Sequence, residues 1–403
     1  MLQAYNQAGE PVILAYLDRS TVETMRTQQS FYCPVCGERV AVKAGRSKIA
    51  HFSHKPHSNC SVSKGEGEYH EKGKLQLFEW LVDQGLEANL EKHLPEINRR
   101  ADILVRIGKK AVALEFQCAA LNRKELSERT DDYRKLGIEP LWILGGNRLK
   151  RTGAAQIRMT SVDQSFLSCY QENDQPLINF FCPNSRQFCL FRHVQSSGNG
   201  RFHGDLHFLS LNKCRILYLF HPSSKQDTAS FWYNWLKDKQ MFRTKPPPNR
   251  QSRQQLSWSK WLYQKKYHQS LLPSLIHLPV TGQYRMKTPP WNWQSRLCLD
   301  FLVPLPVQRV VPIKPIYRLL HDVMMPPSDF PLIKCSADPV REYLELLEKL
   351  EIISFVNEQE IQKQIPIKFP ENVEQALHDD RMIIQFLKLK NNLTSQASTR
   401  MIE

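Results

Sequence analysis

The spacing of apolar positions changes repeatedly between residues 66 and 145, and this pattern predicts a small α/β domain. Apolar residues recur at helical spacing over 66–83 and 122–136. Between and after these helices, alternating or continuous apolar runs predict strands at 86–92, 101–107, 110–118 and 141–144. The predicted order of elements is therefore αβββαβ.

The rest of the chain is predicted to form three further parts. Two helices are predicted near residues 230–239 and 255–267. Beyond residue 300 the chain is predicted to be largely helical, because Asp338-Pro339 precedes an apolar stripe at helical spacing. We expect a small module at 1–62, the α/β domain at 63–150, a basic, aromatic-rich region at 151–300 and a helical region at 301–403.

The composition is that of a globular protein and excludes wholesale disorder or a collagen-like fibre. Of 403 residues, 41% are hydrophobic and 24% are charged, with 16 Gly and 25 Pro. No uninterrupted apolar run reaches the ~20 residues that span a bilayer, so membrane insertion is not expected. The apolar run at 11–17 has no basic residue before it, so no secretory signal is expected and the predicted compartment is the cytoplasm.

The positive charge is concentrated in one stretch of the chain. The chain has 55 Lys and Arg against 40 Asp and Glu, and residues 175–299 hold 18 of those bases with only three acids. This stretch carries the whole net charge of +15, which favours a polyanionic partner. Within it, Lys260, Lys265 and Lys266 are interleaved with Trp258, Trp261, Tyr263 and Tyr267, as expected of a surface that binds nucleic acid. Alternatively, Trp258, Trp261 and Leu262 form one stripe that faces a core.

A cluster of cysteines and histidines near the start of the chain predicts a structural zinc site. Cys33 and Cys36 form a Cys-x2-Cys pair, and Cys60 follows after His51, His54 and His57. Zinc in a closed site takes four ligands, so we expect Cys33, Cys36, Cys60 and either His51 or His54. The alternative is a set of reduced cysteines beside a chance group of histidines.

Two acids are predicted to face each other across a hairpin. Gly108-Lys109 separates two apolar runs and is typical of a two-residue turn. In that register Asp102 lies directly opposite Glu115, with Cβ atoms ~5 Å apart, and Gln117 points to the same side. Two carboxylates this close repel each other, which either raises a pKa or calls for a cation, and their hard oxygen atoms suit Mg²⁺ or Mn²⁺. Alternatively, both acids are solvent-facing strand residues, although their neighbours on that face are apolar.

The two flanking helices offer further candidate residues. Glu66, His70 and Lys74 share one side of the first helix, so that Glu66 or His70 is placed to join the metal site and Lys74 to meet a phosphate. Arg129 and Tyr133 are one turn apart in the second helix. They form either a phosphate clamp or an ordinary surface pair, and a first-turn glutamate is also favourable with the helix dipole alone.

Taken in order, these motifs resemble the competence protein CoiA family over roughly residues 1–150. The matching elements are Cys33-Pro-Val-Cys36, His51-Phe-Ser-His54, Glu66 with His70, Arg100-Ala-Asp102, Glu115-Phe-Gln117, Arg129 with Tyr133, and Leu141-Trp-Ile-Leu144. The resemblance implies an N-terminal zinc module followed by a restriction-endonuclease-like core of PD-(D/E)XK type. It also implies a role in natural transformation and in the processing or recombination of incoming DNA.

In such a core the acidic pair, here Asp102 and Glu115, would bind a divalent metal, and Gln117 stands where a lysine is usual. The sequence therefore favours a Mg²⁺-dependent deoxyribonuclease in which Gln117 orients water or phosphate and Glu66 and His70 assist. The alternative is a non-catalytic DNA-binding accessory protein of recombination. The expected partners are single-stranded or branched DNA and recombination proteins, and the expected cofactors are structural zinc and catalytic Mg²⁺ or Mn²⁺.

Overall fold

The computed structural model describes residues 1–45, 49–55, 58, 60, 67–170, 175–220, 228–245, 251–334 and 337–400. The chain divides into two compact units. The first comprises Met1–Val194, Asp205–Ser224 and Ser328–Lys334, and the second comprises Gln195–Gly204, Lys225–Pro327 and Cys335–Glu403. Both units contain helices and strands, as expected of a mixed α/β protein.

The first unit begins with a five-stranded sheet in the order β2-β1-β3-β4-β5. Its elements are β1 (Gln3–Tyr5), β2 (Pro11–Ile13), α1 (Arg19–Gln28), β3 (Phe31–Tyr32), β4 (Arg39–Lys43) and β5 (His51–Ser53). The core of this sheet is small and includes Phe31 and Phe52, whose ring centroids lie 5.0 Å apart. Helix α1 was not predicted, and it begins where Asp18 accepts a hydrogen bond from the Thr21 amide.

The next segment contains the predicted helices and strands in the predicted order, with two further short strands inserted. Its elements are α2 (Glu68–Val82), β6 (Ala88–Leu90), β7 (His93–Leu94), β8 (Arg99–Arg100), β9 (Ile103–Ile107), β10 (Lys110–Gln117), α3 (Arg123–Lys135) and β11 (Glu139–Gly145). Strands β9 and β10 are antiparallel, and β10 and β11 are parallel because α3 carries the chain across between them. A small unpredicted hairpin, β7 with β8, is inserted between β6 and β9.

This sheet continues beyond residue 150, where the sequence suggested a boundary. Its further strands are β12 (Lys150–Gly153), β13 (Gln156–Arg158), β14 (Ile178–Cys182), β15 (Gln187–Gly198) and β16 (Arg201–Ser210). The full order is β12-β13-β16-β15-β14-β11-β10-β9-β6. Leu77 and Trp80 of α2 pack in one buried cluster with Phe116 of β10, whereas Tyr133 of α3 packs in another with Ala113. The alternation along β10 therefore gives the sheet two covered faces.

The second unit is mainly helical and also contains a small sheet that the sequence did not predict. Its helices are α4 (Thr228–Thr244), α5 (Arg253–Gln264), α6 (Pro290–Arg296), α7 (Lys314–Leu320), α8 (Pro339–Lys349) and α9 (Val373–Arg400). The strands β17 (Val310–Pro312), β18 (Ile353–Asn357) and β19 (Glu360–Lys363) pair in the order β17-β19-β18. Asp338 caps α8, as the sequence predicted. Across the described residues, no helix has the length and apolar character needed to cross a bilayer.

Candidate functional site

The hairpin of β9 and β10 has the register that the sequence predicted. Leu104 pairs with Ala113 and Ile103 with Leu114, so Asp102, directly before β9, lies at the position opposite Glu115. Both acids are buried, with 7% and 1% of their surface exposed. Asp102 Oδ2 also accepts a hydrogen bond of 2.9 Å from the amide of Phe116. Two carboxylates thus come together at one end of the hairpin.

Helix α3 supplies both partners of the Glu115 carboxylate. Arg129 donates a hydrogen bond to Oε2 and Tyr133 donates one to Oε1. The two donors are one helical turn apart, so they reach the same carboxylate from one side of α3. The Arg129 guanidinium also lies over the ring of Trp142, 5.1 Å from its centroid. Burial raises the pKa of Glu115, and the charge of Asp102 raises it further, while Arg129 opposes both.

Helix α2 supports Asp102 from the other side. His70 Nε2 lies 3.4 Å from Asp102 Oδ2, and its ring is stacked on that of Phe116. Lys74 Nζ lies 3.8 Å from Asp102 Oδ1 and forms an ion pair with the buried Glu91. Lys74 is fully buried, so it has no exposed surface with which to meet a phosphate, in contrast to the role suggested by its helical spacing. It holds the acids in place instead.

The two acids, together with His70 and Arg129, line a cleft with a volume of about 810 Å³. The lining includes Asp102, Glu115, Gln117, His70, Arg129, Arg99, Arg100, Ile97, Asn98 and Glu125. Gln117 is half-buried, and its side-chain amide donates a hydrogen bond of 2.9 Å to the carbonyl of Ala119. Glu66, the remaining candidate from the sequence, lies outside the described residues. The described candidates of this domain other than Lys74 and Tyr133 therefore line one cleft, and the buried Tyr133 contacts Glu115 from behind it.

The predicted cysteine and histidine cluster is brought together near the start of the chain. The ligand atoms of Cys33, Cys36, His54 and Cys60 all lie within 4.8 Å of one another. Cys36 Sγ is 3.3 Å from His54 Nε2, and Cys33 Sγ is 4.0 Å from Cys60 Sγ. Three thiols and one imidazole at this separation fit a closed tetrahedral site, and so this group is able to hold a metal ion such as zinc.

The structure also distinguishes between the two histidines that the sequence left open. His54 belongs to the cluster, whereas His51 does not. His51 Nδ1 lies 2.9 Å from the carbonyl of Ile49 and 3.9 Å from a carboxylate oxygen of Glu71. His51 begins β5, and His54 follows the end of this strand, three positions later. In an extended segment, residues an odd number of positions apart point to opposite sides. His57 lies outside the described residues.

In the basic region, the core-facing interpretation is confirmed for two members of the predicted stripe on α5, Trp258 and Leu262, while Trp261 is only partly buried against the same cluster. Trp258 and Leu262 are buried, and Trp258 Nε1 donates a hydrogen bond to Ser295 Oγ. Stacking of nucleobases on Trp258 is therefore excluded. Tyr263, on the other side of α5, is 83% exposed. The lysines Lys260, Lys265 and Lys266 are exposed, and Lys265 forms an ion pair of 2.7 Å with Asp300.

Three domain models of one family match this chain in the order of the fold. They are the N-terminal domain of competence protein CoiA at residues 14–63, its nuclease-like domain at 66–224 and its C-terminal domain at 231–387. The chain belongs to the competence protein CoiA family. A curated relative, competence protein CoiA of Bacillus subtilis (strain 168), is 28% identical over 332 residues, which are 80% of this chain and 86% of the relative. The resemblance inferred from the motifs is confirmed.

The CoiA nuclease-like segment spans the cleft and the strands of the nine-stranded sheet up to β16. Sequence reasoning missed two residues of this cleft region. Glu91 holds Lys74 and lies 3.6 Å from Arg100, and Trp142 supports Arg129. Glu91 follows the apolar Leu90 in a predicted strand, and Trp142 lies between two apolar residues of another. The apolar pattern therefore gave no sign of either role. A competence-related role and interaction with nucleic acid are consistent with the family and its nuclease-like domain.

Proposed function

We propose that this CoiA-family protein is a Mg²⁺- or Mn²⁺-dependent deoxyribonuclease with a core of PD-(D/E)XK type. It processes DNA in natural transformation and recombination. The observation that carries this proposal is the pair of buried carboxylates, Asp102 and Glu115, on the wall of a polar cleft. The nuclease-like family segment and the αβββαβ order support it.

The residues around the cleft fit a divalent cation. Asp102 and Glu115 offer hard oxygen ligands at opposed positions of one hairpin. The cations that already face them show that two negative charges buried here need compensation. A bound cation would activate water and polarise a phosphodiester oxygen. Asp102 is held by Lys74, His70 and the Phe116 amide, so its carboxylate is fixed before the substrate binds.

Gln117 takes the place where nucleases of PD-(D/E)XK type usually have a lysine. Its amide donates and accepts hydrogen bonds, so it can orient a water molecule or a phosphate oxygen. It carries no charge, and so it cannot supply the positive potential of a lysine. His70 assists from the side of Asp102, where its Nε2 atom lies 3.4 Å from Oδ2. Glu66, which lies outside the described residues, is expected to assist as well. The exposed Lys260, Lys265 and Lys266 bind DNA outside the cleft. Zinc bound at the cluster of Cys33, Cys36, His54 and Cys60 stabilises the N-terminal sheet.

The proposal is tested by cleavage and binding measured on the same samples. Purified protein is incubated with labelled single-stranded, duplex and branched DNA, with EDTA, Mg²⁺ or Mn²⁺, beside Glu115→Gln and Asp102→Asn. We expect cleavage that needs the metal and falls by at least about 100-fold in both variants, because each removes a charged ligand. Lys109→Gln, an exposed residue of the hairpin turn, is the control. Cleavage that persists in Glu115→Gln would contradict the assignment of the site.

One observation favours a second candidate, a DNA-binding recombination accessory without catalysis. Arg129 already neutralises Glu115, and Lys74 lies beside Asp102, so both acids have a cation from the protein itself. An accessory protein would use the same fold and lysines to grip DNA and would recruit recombination proteins. Salt-sensitive DNA binding without cleavage in either metal would favour this candidate over the nuclease.

A further inference from the structure

Each acid of the cleft faces a cation from the chain, and the two cations differ in their freedom to move. Lys74 is fully buried and held by Glu91, so it is fixed. Arg129 has 19% of its side chain exposed and lines the open cleft. Its guanidinium is at the end of a long side chain and rests on the face of Trp142, which is a non-directional support.

A divalent cation on Glu115 would compete with this guanidinium. Both seek the same carboxylate, and two positive charges within a few ångströms of each other in a partly buried site repel strongly. Tyr133 does not compete in this way, because it is a neutral donor on the other oxygen, Oε1. The Oε2 atom, held by Arg129, is therefore where a cation and the protein exclude each other.

We propose that Arg129 is an exchangeable counter-ion of Glu115. Its guanidinium neutralises the carboxylate while the divalent cation is absent and leaves Oε2 when the cation binds. It is then available to a phosphate oxygen of DNA in the same cleft, for which a planar guanidinium is well suited. Arg129 thereby links substrate contact to metal loading. This inference rests on the proposed nuclease function for the cation and the DNA.

The test measures affinity for Mn²⁺ alone, with the full-length, zinc-loaded protein and the EPR signal of free Mn²⁺. Arg129→Met removes the competing charge, so we expect Mn²⁺ to bind about tenfold more tightly than to the wild type. Arg129→Lys keeps the charge and should bind Mn²⁺ within about threefold of the wild type. Arg99→Met is the matched control, since Arg99 also lines the cleft but forms its ion pair with Asp132. Glu115→Gln should abolish the site in each background.

A second readout follows the guanidinium itself. Because Arg129 lies over the ring of Trp142, Mg²⁺ should change the fluorescence of Trp142 in the wild type. The signal of Trp142 is the difference between each protein and the same protein with Trp142→Phe. In Arg129→Met, which has no guanidinium to move, this change should be lost even though the ion binds.

The outcomes separate this inference from the proposed function. Tighter Mn²⁺ binding by Arg129→Met, with Arg129→Lys near the wild type, would support the exchange. If the wild type binds Mn²⁺ and Arg129→Met binds it equally tightly or more weakly, at an unchanged thermal midpoint, the exchange is overturned. Arg129 would then be a fixed support of Glu115. An absence of Mn²⁺ binding at Glu115 in every protein, the wild type included, would overturn the metal-dependent function and the exchange with it.

Discussion

A glycine in the middle of helix α2 shows how a single residue sets the distance between helix and sheet. Gly73 faces Phe116 of β10, and a Cβ atom built on it would lie 2.1 Å from Phe116 Cε1. Phe116 is itself buried, and its ring supports His70 beside Asp102. A helix interior normally disfavours glycine by about 1 kcal/mol relative to alanine, so this glycine reflects packing. The close approach keeps His70 next to the acid.

We therefore expect Gly73→Ala to destabilise the protein in spite of the better helix propensity of alanine. The overlap with Phe116 should cost about 1–3 kcal/mol of unfolding free energy, because the neighbouring atoms are buried and cannot shift freely. Urea unfolding would measure it. Gly45→Ala, outside the helices and strands, with no atom within 4 Å of the added Cβ and no positive φ, is the control and should change little. Equal stability of Gly73→Ala and the wild type would contradict the packing argument.

At the scale of elements, the strands β3 to β5 of the N-terminal sheet pack on a small apolar core, which a bound metal would reinforce. The turn after β3 carries Cys33 and Cys36, and His54 comes directly after β5. A metal bound to Cys33, Cys36, His54 and Cys60 would join the ends of these strands. Folding of such a module is coupled to the metal, because the ligands are apart in the unfolded chain.

For this module we predict that His54→Ala loses zinc and His51→Ala keeps it. His54 belongs to the group of four possible ligands, whereas His51 Nδ1 lies within hydrogen-bond distance of the carbonyl of Ile49. Metal analysis after purification without chelator should give close to one zinc per chain for the wild type and His51→Ala, and less than about half for His54→Ala. The opposite pattern in the two variants would show that the ligand is assigned wrongly.

Helix α5 has a buried side and a side that carries exposed lysines. Lys260 and Lys266 are exposed beside the exposed Tyr263, and the sequence has no carboxylate from residue 239 to 299. If these lysines contact phosphates, Lys260→Ala/Lys266→Ala should weaken DNA binding and lower the slope of log affinity against log salt by about 1–2. Fluorescence anisotropy at several salt concentrations would measure both.

The control for α5 is Lys109→Ala/Lys110→Ala, which removes the same charge from the exposed turn between β9 and β10. It should leave the salt slope close to that of the wild type. Equal slopes for the α5 variant and the wild type would exclude these two lysines as phosphate contacts.

Tyr263→Ala should weaken binding of single-stranded DNA more than of duplex DNA, because only unpaired bases expose a face for stacking.

At the scale of the whole molecule, acid stability depends on charged groups in the core of the second unit. Arg243 and Lys239 of α4 form buried ion pairs with Asp380 of α9, which joins two helices far apart in sequence. His277 is buried in the same region, between the rings of Trp235 and Phe242. Burial, with the charge of Lys239, lowers the pKa of His277 to about 3. The neutral imidazole is thus the folded form.

The sign of the pH effect follows from this lowered pKa. The unfolded chain binds a proton at His277 below its ordinary pKa of about 6.5, while the folded protein does not until about pH 3. Stability from this residue is therefore complete above about pH 6.5 and is lost as the pH falls from there towards 3. At pH 5 the loss should be about 2 kcal/mol.

Urea unfolding at pH 7.5 and pH 5 would test this effect. His277→Asn should remove most of the loss, because asparagine does not titrate and tolerates the positive φ of 69° at this position. His321→Asn is the control, since His321 is exposed at 86% of its side chain, and it should behave as the wild type. The same change in stability between pH 7.5 and pH 5 in His277→Asn and in the wild type would contradict the assignment to His277.

The sequence by itself determined those features that depend on local spacing. The period of apolar residues gave the αβββαβ order, and Gly108-Lys109 fixed the register that sets Asp102 opposite Glu115. The Cys-x2-Cys pair indicated the metal-binding cluster. These features are local because a turn, a helix or a hairpin is specified by residues that are near one another in the chain.

Only the tertiary structure decided which partners these residues meet. Arg129 and Tyr133 reach Glu115, Lys74 is buried against Glu91, and His54 rather than His51 joins the three cysteines. Trp258 faces a core although it alternates with lysines, and the sheet gains strands from beyond residue 150. Such contacts join segments distant in sequence, and the side of an element that becomes buried depends on what packs against it. Apolar spacing does not carry that information.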